Sequence, residues 1–184
     1  MMSNCSFSGI EYANISQNVT IVPRLDYSND LLCRIIGILK KKRSEIRKTN
    51  RFILDDFDMS DKVCQKALDV EKTVVFSIEI LSQIQKRTGM ISSITSIPKI
   101  LPSAIPMIRT ISAQLYGILP ECSQKLSELS VHLGSIVLDS ATLTKARFDF
   151  SLSNEESSIL LDEVKLMVDS KISKQYPNLD FLKA

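Results

Sequence analysis

Seven cations crowd one short stretch of the sequence: Lys40-Lys41-Lys42-Arg43, then Arg47, Lys48 and Arg51. The formal net charge is only +2 over 184 residues, so this local excess is the informative feature. From Arg24 to Arg51 nine Lys/Arg stand against three Asp/Glu, whereas from Glu121 onward seven stand against ten. A basic element followed by acidic ones suits an anionic surface, an acidic partner or the chain's own tail. On an amphipathic helix, four to eight such side chains hold anionic lipid at about 1 kcal/mol each. Nucleic-acid phosphates offer the same charge, but no aromatic residues interleave with these cations to stack bases. The remaining reading, a plainly solvated helix face, needs no ligand at all.

Catalytic chemistry has fewer ingredients. The single histidine, His132, sits beside Leu133 with no partnered nucleophile evident in the pattern, which favours a surface or interfacial role over general-base work. The carboxylate pairs Asp55-Asp56 and Glu155-Glu156 suit a turn and a helix N-terminus, and the five glycines stand singly, so there is no phosphate-cradling loop. Cys5, Cys33, Cys64 and Cys122 are tens of residues apart with no C-x-x-C pair, which reads as reduced thiols and not as a zinc site or disulfide scaffold. The expectation is a protein that is not an enzyme, with no cofactor, no metal and no small-molecule substrate.

Helices must position the cations. A chain that is 44% hydrophobic, with no Trp and 5 Gly, has the composition of an all-α domain. Residues 1–27 are polar without sustained periodicity and read as a flexible N-terminal arm; with no basic flank, Phe7, Ile10 and Tyr12 fit a solvated tail better than a cluster that dips into lipid. From Asp30 to Phe57 the residues Leu31, Ile35, Ile38, Leu39, Ile46, Ile53 and Phe57 recur at three- and four-residue steps, predicting one long helix whose remaining surface is basic. After the turn-forming residues from Asp55 to Ser60, the run Val63, Ala67, Val70, Val74, Ile78, Leu81 and Ile84 predicts a second helix packed antiparallel on the first. Pro98, Pro102 and Pro106 predict a bend or break beyond it. Pro120 and Glu121 open the next helix, with Leu126, Leu129, Leu133 and Ile136 as its packing stripe. Residues 139–152 read as a connector. Ser153-Asn154-Glu155-Glu156 fits a capping box for a last helix packed through Ile159, Leu160 and Val164 and stopped by Pro177. One domain over 28–184 follows: a basic hairpin (28–118), connecting helices (119–152) and an acidic C-terminal helix (153–184). No apolar run is long enough to span a bilayer and no signal-peptide pattern opens the chain, so a cytoplasmic protein is expected.

The segment Gly117-Ile118-Leu119-Pro120-Glu121, continuing through Leu126-Ser127-Glu128-Leu129-Ser130 to Leu133-Gly134-Ser135-Ile136, resembles the stretch joining the second and third helices of archaeal ESCRT-III proteins of the CdvB cell-division type. Phe148-Asp149-Phe150, Asn154-Glu155-Glu156-Ser157-Ser158-Ile159-Leu160 and the closing Lys174-Gln175-Tyr176-Pro177-Asn178-Leu179 resemble the C-terminal helix of that family, in the same order and spacing. The resemblance spans roughly residues 28 to 180.

It implies an ESCRT-III-like core, a long coiled-coil-like basic hairpin followed by shorter helices. Such subunits polymerise with themselves and with paralogous ESCRT-III subunits into filaments that remodel anionic membranes during cytokinesis or vesicle release. The resemblance assigns membrane binding to Lys40, Lys41, Lys42, Arg43, Arg47, Lys48 and Arg51. It also implies an autoinhibitory acidic region, Glu155, Glu156, Asp162, Glu163 and Asp169, folded against Lys40 to Arg51 and loosened by salt. The stripes Leu126, Leu129, Leu133, Ile136 and Ile159, Leu160, Val164 would serve hairpin or assembly packing. Longer family members add a proline-rich segment that engages a disassembling AAA ATPase, so the likeness is to a short paralogue whose ATPase contact is indirect. The triple proline has no counterpart in the family's straight second helix. Localisation would be cytoplasmic and peripheral to membrane, at the division site. The alternative is a helical-bundle adaptor or regulator of one protein or nucleic-acid partner, with nucleic acid disfavoured.

Overall fold

The computed structural model describes residues 8–55, 59–147 and 150–177, with side chains from Thr20 onward except 150–153. Among these the protein is all helical: α1 (Ser8–Asp55), α2 (Asp61–Gly89), a 3-10 turn (Ile94–Ser96), α3 (Ile97–Ile100), α4 (Ala104–Leu115), α5 (Pro120–Thr144) and α6 (Phe150–Gln175). Phe7, Phe57, Phe148, Asp149, Asn178 and Leu179, which figured in the sequence reading, lie outside the described residues.

Helix α1 is the first correction. Its 48 residues, at about 1.5 Å each, make a rod of about 72 Å, and it takes in residues 8–27, which the sequence suggested as a flexible arm. Pro23 lies inside it and donates no hydrogen bond to the turn before it. Tertiary burial overrides that cost. Ile21 and Leu25, four residues apart, are both buried, and Arg24 between them reaches Asp139 of α5 at 2.6 Å.

Helix α2 runs back along α1 as an antiparallel hairpin. Asn50 Nδ2 donates to the Ala67 carbonyl near the tip, and Gln85 Nε2 approaches Cys33 Sγ far down the pair, so one register holds along the hairpin. Leu32, Ile35, Ile36 and Leu39 of α1 meet Leu68, Val74, Ile78, Leu81 and Ile84 of α2 in the core. The inward stripe of α2 begins at Cys64 and Leu68, while Val63 is exposed and Ala67 and Val70 are half-buried; from Val74 through Ile78, Leu81 and Ile84 the buried positions are those the spacing predicts.

The prolines break the chain, as expected. Pro98 occupies the start of α3, Pro102 the turn after it, and Pro106 the first turn of α4. At these places the missing N–H has no helical partner to lose. Helices α4 and α5 then form a second hairpin, closed by reciprocal bonds in which Ser112 Oγ donates to the Ser123 carbonyl at 2.8 Å and Ser123 Oγ to that of Ser112 at 2.7 Å. Helix α5 starts at Pro120 with Glu121 in its first turn and buries Leu126, Leu129, Leu133 and Ile136 completely. It continues to Thr144, through half of the expected connector, until Lys145 adopts a left-handed conformation (φ 53°), a standard way to stop a helix. Helix α6 begins at Phe150, a turn before the expected capping box, and ends at Gln175 ahead of Pro177.

Candidate functional site

Two surfaces and one buried cluster carry the polar chemistry. The first surface is the outer side of α1. Arg34, Lys40, Lys41, Lys48 and Arg51 are exposed there, with Gly37 and Ser44 between them. Lys42, Arg43 and Arg47, from the same basic run, are half-buried and turn toward neighbouring helices. Lys42 pairs with Glu45 at 2.8 Å, and that hydrogen bond and charge raise its pKa, with Glu121 of α5 adding to the effect against a small desolvation. Beyond Arg51, Phe52 is 80% exposed, an aromatic ring at the edge of the cationic face that the three- and four-residue stepping had passed over.

Helix α6 folds back on the hairpin, but not onto Lys40 to Arg51. It packs on α2 and α4 through Val164, Val168 and Ile172, all buried, with Leu160 half-buried. Two ion pairs flank the seam: Lys72 with Asp169 at 2.9 Å and Lys171 with Glu79 at 2.6 Å. Of the five carboxylates expected to face the basic run, Asp169 therefore pairs with α2 instead. Glu155, Glu156, Asp162 and Glu163 point outward and are exposed, as is Ile159, which does not pack within the chain. The cause is geometric. The side of α6 that carries Val164, Val168 and Ile172 has the apolar area to bury, and these four acids lie on the opposite side of the cylinder.

The buried cluster joins three helices. Glu71 of α2 is 0% exposed, and its carboxylate accepts three hydrogen bonds. Asn50 of α1 donates to Oε2 at 2.7 Å, Tyr176 Oη to the same oxygen at 2.8 Å, and Gln175 Nε2 to Oε1 at 2.8 Å. A buried carboxylate is tolerated only when donors replace its water, so the end of α6 is needed to complete the shell. The Tyr176 phenol is pushed up to about 12, first by burial and then by its bond to Glu71 and that group's charge, with Arg47 acting in the opposite sense. Sequence reasoning missed this cluster, although a signal was present. Glu71 stands in register with Cys64, Leu68 and Val75, and Asn50 four residues after Ile46: polar residues inside apolar stripes.

A polar seam also fastens α1 to α5. Ser28 Oγ lies 3.0 Å from His132 Nδ1, Tyr27 stacks edge-on against the imidazole, and Arg24 bonds both Ser135 and Asp139. Burial, helped by the Arg24 charge, lowers the pKa of His132. Ser28 is buried and also bonds the carbonyl of Arg24, so this serine–histidine contact is a helix-to-helix tie. A groove of about 620 Å³ opens between α4 and α5, walled by Pro102, Ile105, Pro106, Val131 and Leu138 with Arg109 at its edge. Among the described residues no helix is long and apolar enough to cross a membrane, and no cluster of His, Cys, Asp and Glu is arranged to hold a metal ion. Compared with known proteins, the chain matches no family model and no solved structure.

Proposed function

We propose that the chain is a non-enzymatic, filament-forming subunit of the ESCRT-III kind, which polymerises with itself and with paralogous subunits on anionic membrane and remodels it in archaeal cell division or vesicle release. The observation that carries this reading is the outer face of α1, where five exposed cations and Phe52 share one side of a long rod. At about 1 kcal/mol per cation near an anionic surface, the face gives one subunit millimolar-range docking or better. Side-by-side assembly multiplies that through avidity. The Phe52 ring is placed to enter the headgroup layer beside Arg51 and Lys48. The docked α6 corresponds to a closed subunit, and its polar ties to Glu71 are the kind that water can replace on release.

Co-sedimentation with vesicles of phosphatidylserine and phosphatidylcholine, against phosphatidylcholine alone, tests the reading. Reversal of Lys41→Glu and Lys48→Glu, both on the exposed face, is expected to weaken binding at least about thirtyfold with the helical circular-dichroism signal unchanged. Equal pelleting of wild type on both lipids, or undiminished binding by the variant, would sink the membrane role. The adaptor reading has one observation of its own, the apolar groove between α4 and α5, and a partner helix bound there in place of lipid would establish it.

A further inference from the structure

The outward face of α6 is organised as well as uncovered. Ile159 is 61% and Leu166 72% exposed. They stand seven residues apart, two turns and about 10 Å along one line of the helix. Glu155 and Asp162 repeat that spacing along one flank of the line, and Glu156 and Glu163 along the other. The outer face of α1 is its counterpart. Gly37 and Ser44, also seven apart and exposed, form a low central line, and nothing lies within 4 Å of where a Cβ on Gly37 would stand. Lys41 and Lys48 repeat the spacing on one side of that line, and Lys40 and Arg51 flank the other.

We propose that copies of this chain associate head to tail in solution, the Ile159–Leu166 ridge of one α6 seated on the Gly37–Ser44 line of another copy's α1, with the four carboxylates of the ridge against the four cations. Close approach over small residues buries the two apolar side chains and the aliphatic stems of the lysines, and complementary charge fixes the register. The two faces are different patches of one molecule, so the contact is heterologous and propagates. Anionic lipid competes for the same cations, so a membrane empties this soluble store. The contact is a soluble association, separate from the membrane-bound filament of the proposed function because both use the same cations, and it stands without lipid binding.

Sedimentation velocity of the full chain at low salt tests it. Wild type is expected to gain mass with concentration and to lose it in high salt, where charges are screened within about 3 Å at 1 M. Glu156→Lys with Glu163→Lys, and separately Lys41→Glu with Lys48→Glu, should each weaken association roughly tenfold or more, and mixing the two variants should restore it. Gly37→Gln with Ser44→Gln, which fills the low line without touching a charge, should weaken association. A wild type that stays monomeric at low salt, or a mixture of reversed variants that stays monomeric, overturns the contact. Loss of vesicle pelleting in wild type, with association behaving as stated, overturns only the membrane role.

Discussion

Helices α5 and α6 are nearly the same length, 25 and 26 residues, and both carry polar ties to the hairpin, yet they differ in the apolar area that holds them. Helix α5 buries Leu126, Leu129, Leu133, Ile136 and Val137, a broad seam of large aliphatic side chains. Helix α6 buries the smaller set Val164, Val168 and Ile172 and adds polar ties at both ends: Ser157 Oγ donating to the Ser103 carbonyl at 2.7 Å, and the Gln175 and Tyr176 bonds to Glu71. Apolar area is stabilising only when kept dry. Hydrogen bonds and exposed ion pairs exchange with water at small net cost. Helix α5 is therefore the more firmly held of the two, and α6 the less.

Truncating one large side chain of α5 is the strongest way to test that contrast. Leu129→Ala is expected to cost about 2–5 kcal/mol of global stability, seen as a lower urea midpoint for the whole protein. Tyr176→Phe removes one donor from a buried carboxylate and is expected to cost about 1–3 kcal/mol. That loss should appear as faster amide exchange confined to α6, with the midpoint of α5 little changed; loss of protection across both helices would show that they unfold as one. The α1–α5 seam brings pH into the comparison. Because His132 has its pKa lowered on folding, the neutral ring is the favoured form, and its contribution is complete above the ordinary value of 6.5 and lost as pH falls through the lowered one. His132→Gln should flatten the acid limb of a stability–pH profile, and an unchanged limb would place the acid sensitivity elsewhere. Smallest is the outer ion pair of α6. Lys72→Ala is expected to change stability by about 0–1 kcal/mol, with the difference vanishing in high salt.

What was legible in the sequence follows the same division. The all-α class, the break at Pro98 to Pro106, the start of α5 at Pro120 and its stripe were readable because local pattern and tertiary burial agree there. The early start of α1 was not, since Ile21 and Leu25 become core only once α5, more than a hundred residues later, lies beside them. The five acids of α6 do not act as one set, since Asp169 pairs with Lys72 while the other four face outward, and which way each faces depends on which side of the helix finds apolar partners on α2 and α4. Charge counting cannot supply that direction. Glu71 and Asn50 would have been found by asking which polar residues fall inside an apolar register, a sharper question than where charges cluster.

The Tyr176 phenol has a consequence for measurement. The chain has no Trp and four Tyr, so tyrosine dominates its near-ultraviolet absorbance, and one of the four is displaced from the ordinary value of 10 to about 12 by its place against Glu71. In a spectrophotometric titration, the tyrosinate band that disappears in a Tyr176→Phe difference spectrum reads out whether α6 is seated. Seated, the phenol resists ionisation; with the helix unseated, it loses the burial and the Glu71 bond that raise its pKa. The protein thus carries an unlabelled optical gauge of whether α6 is seated against Glu71.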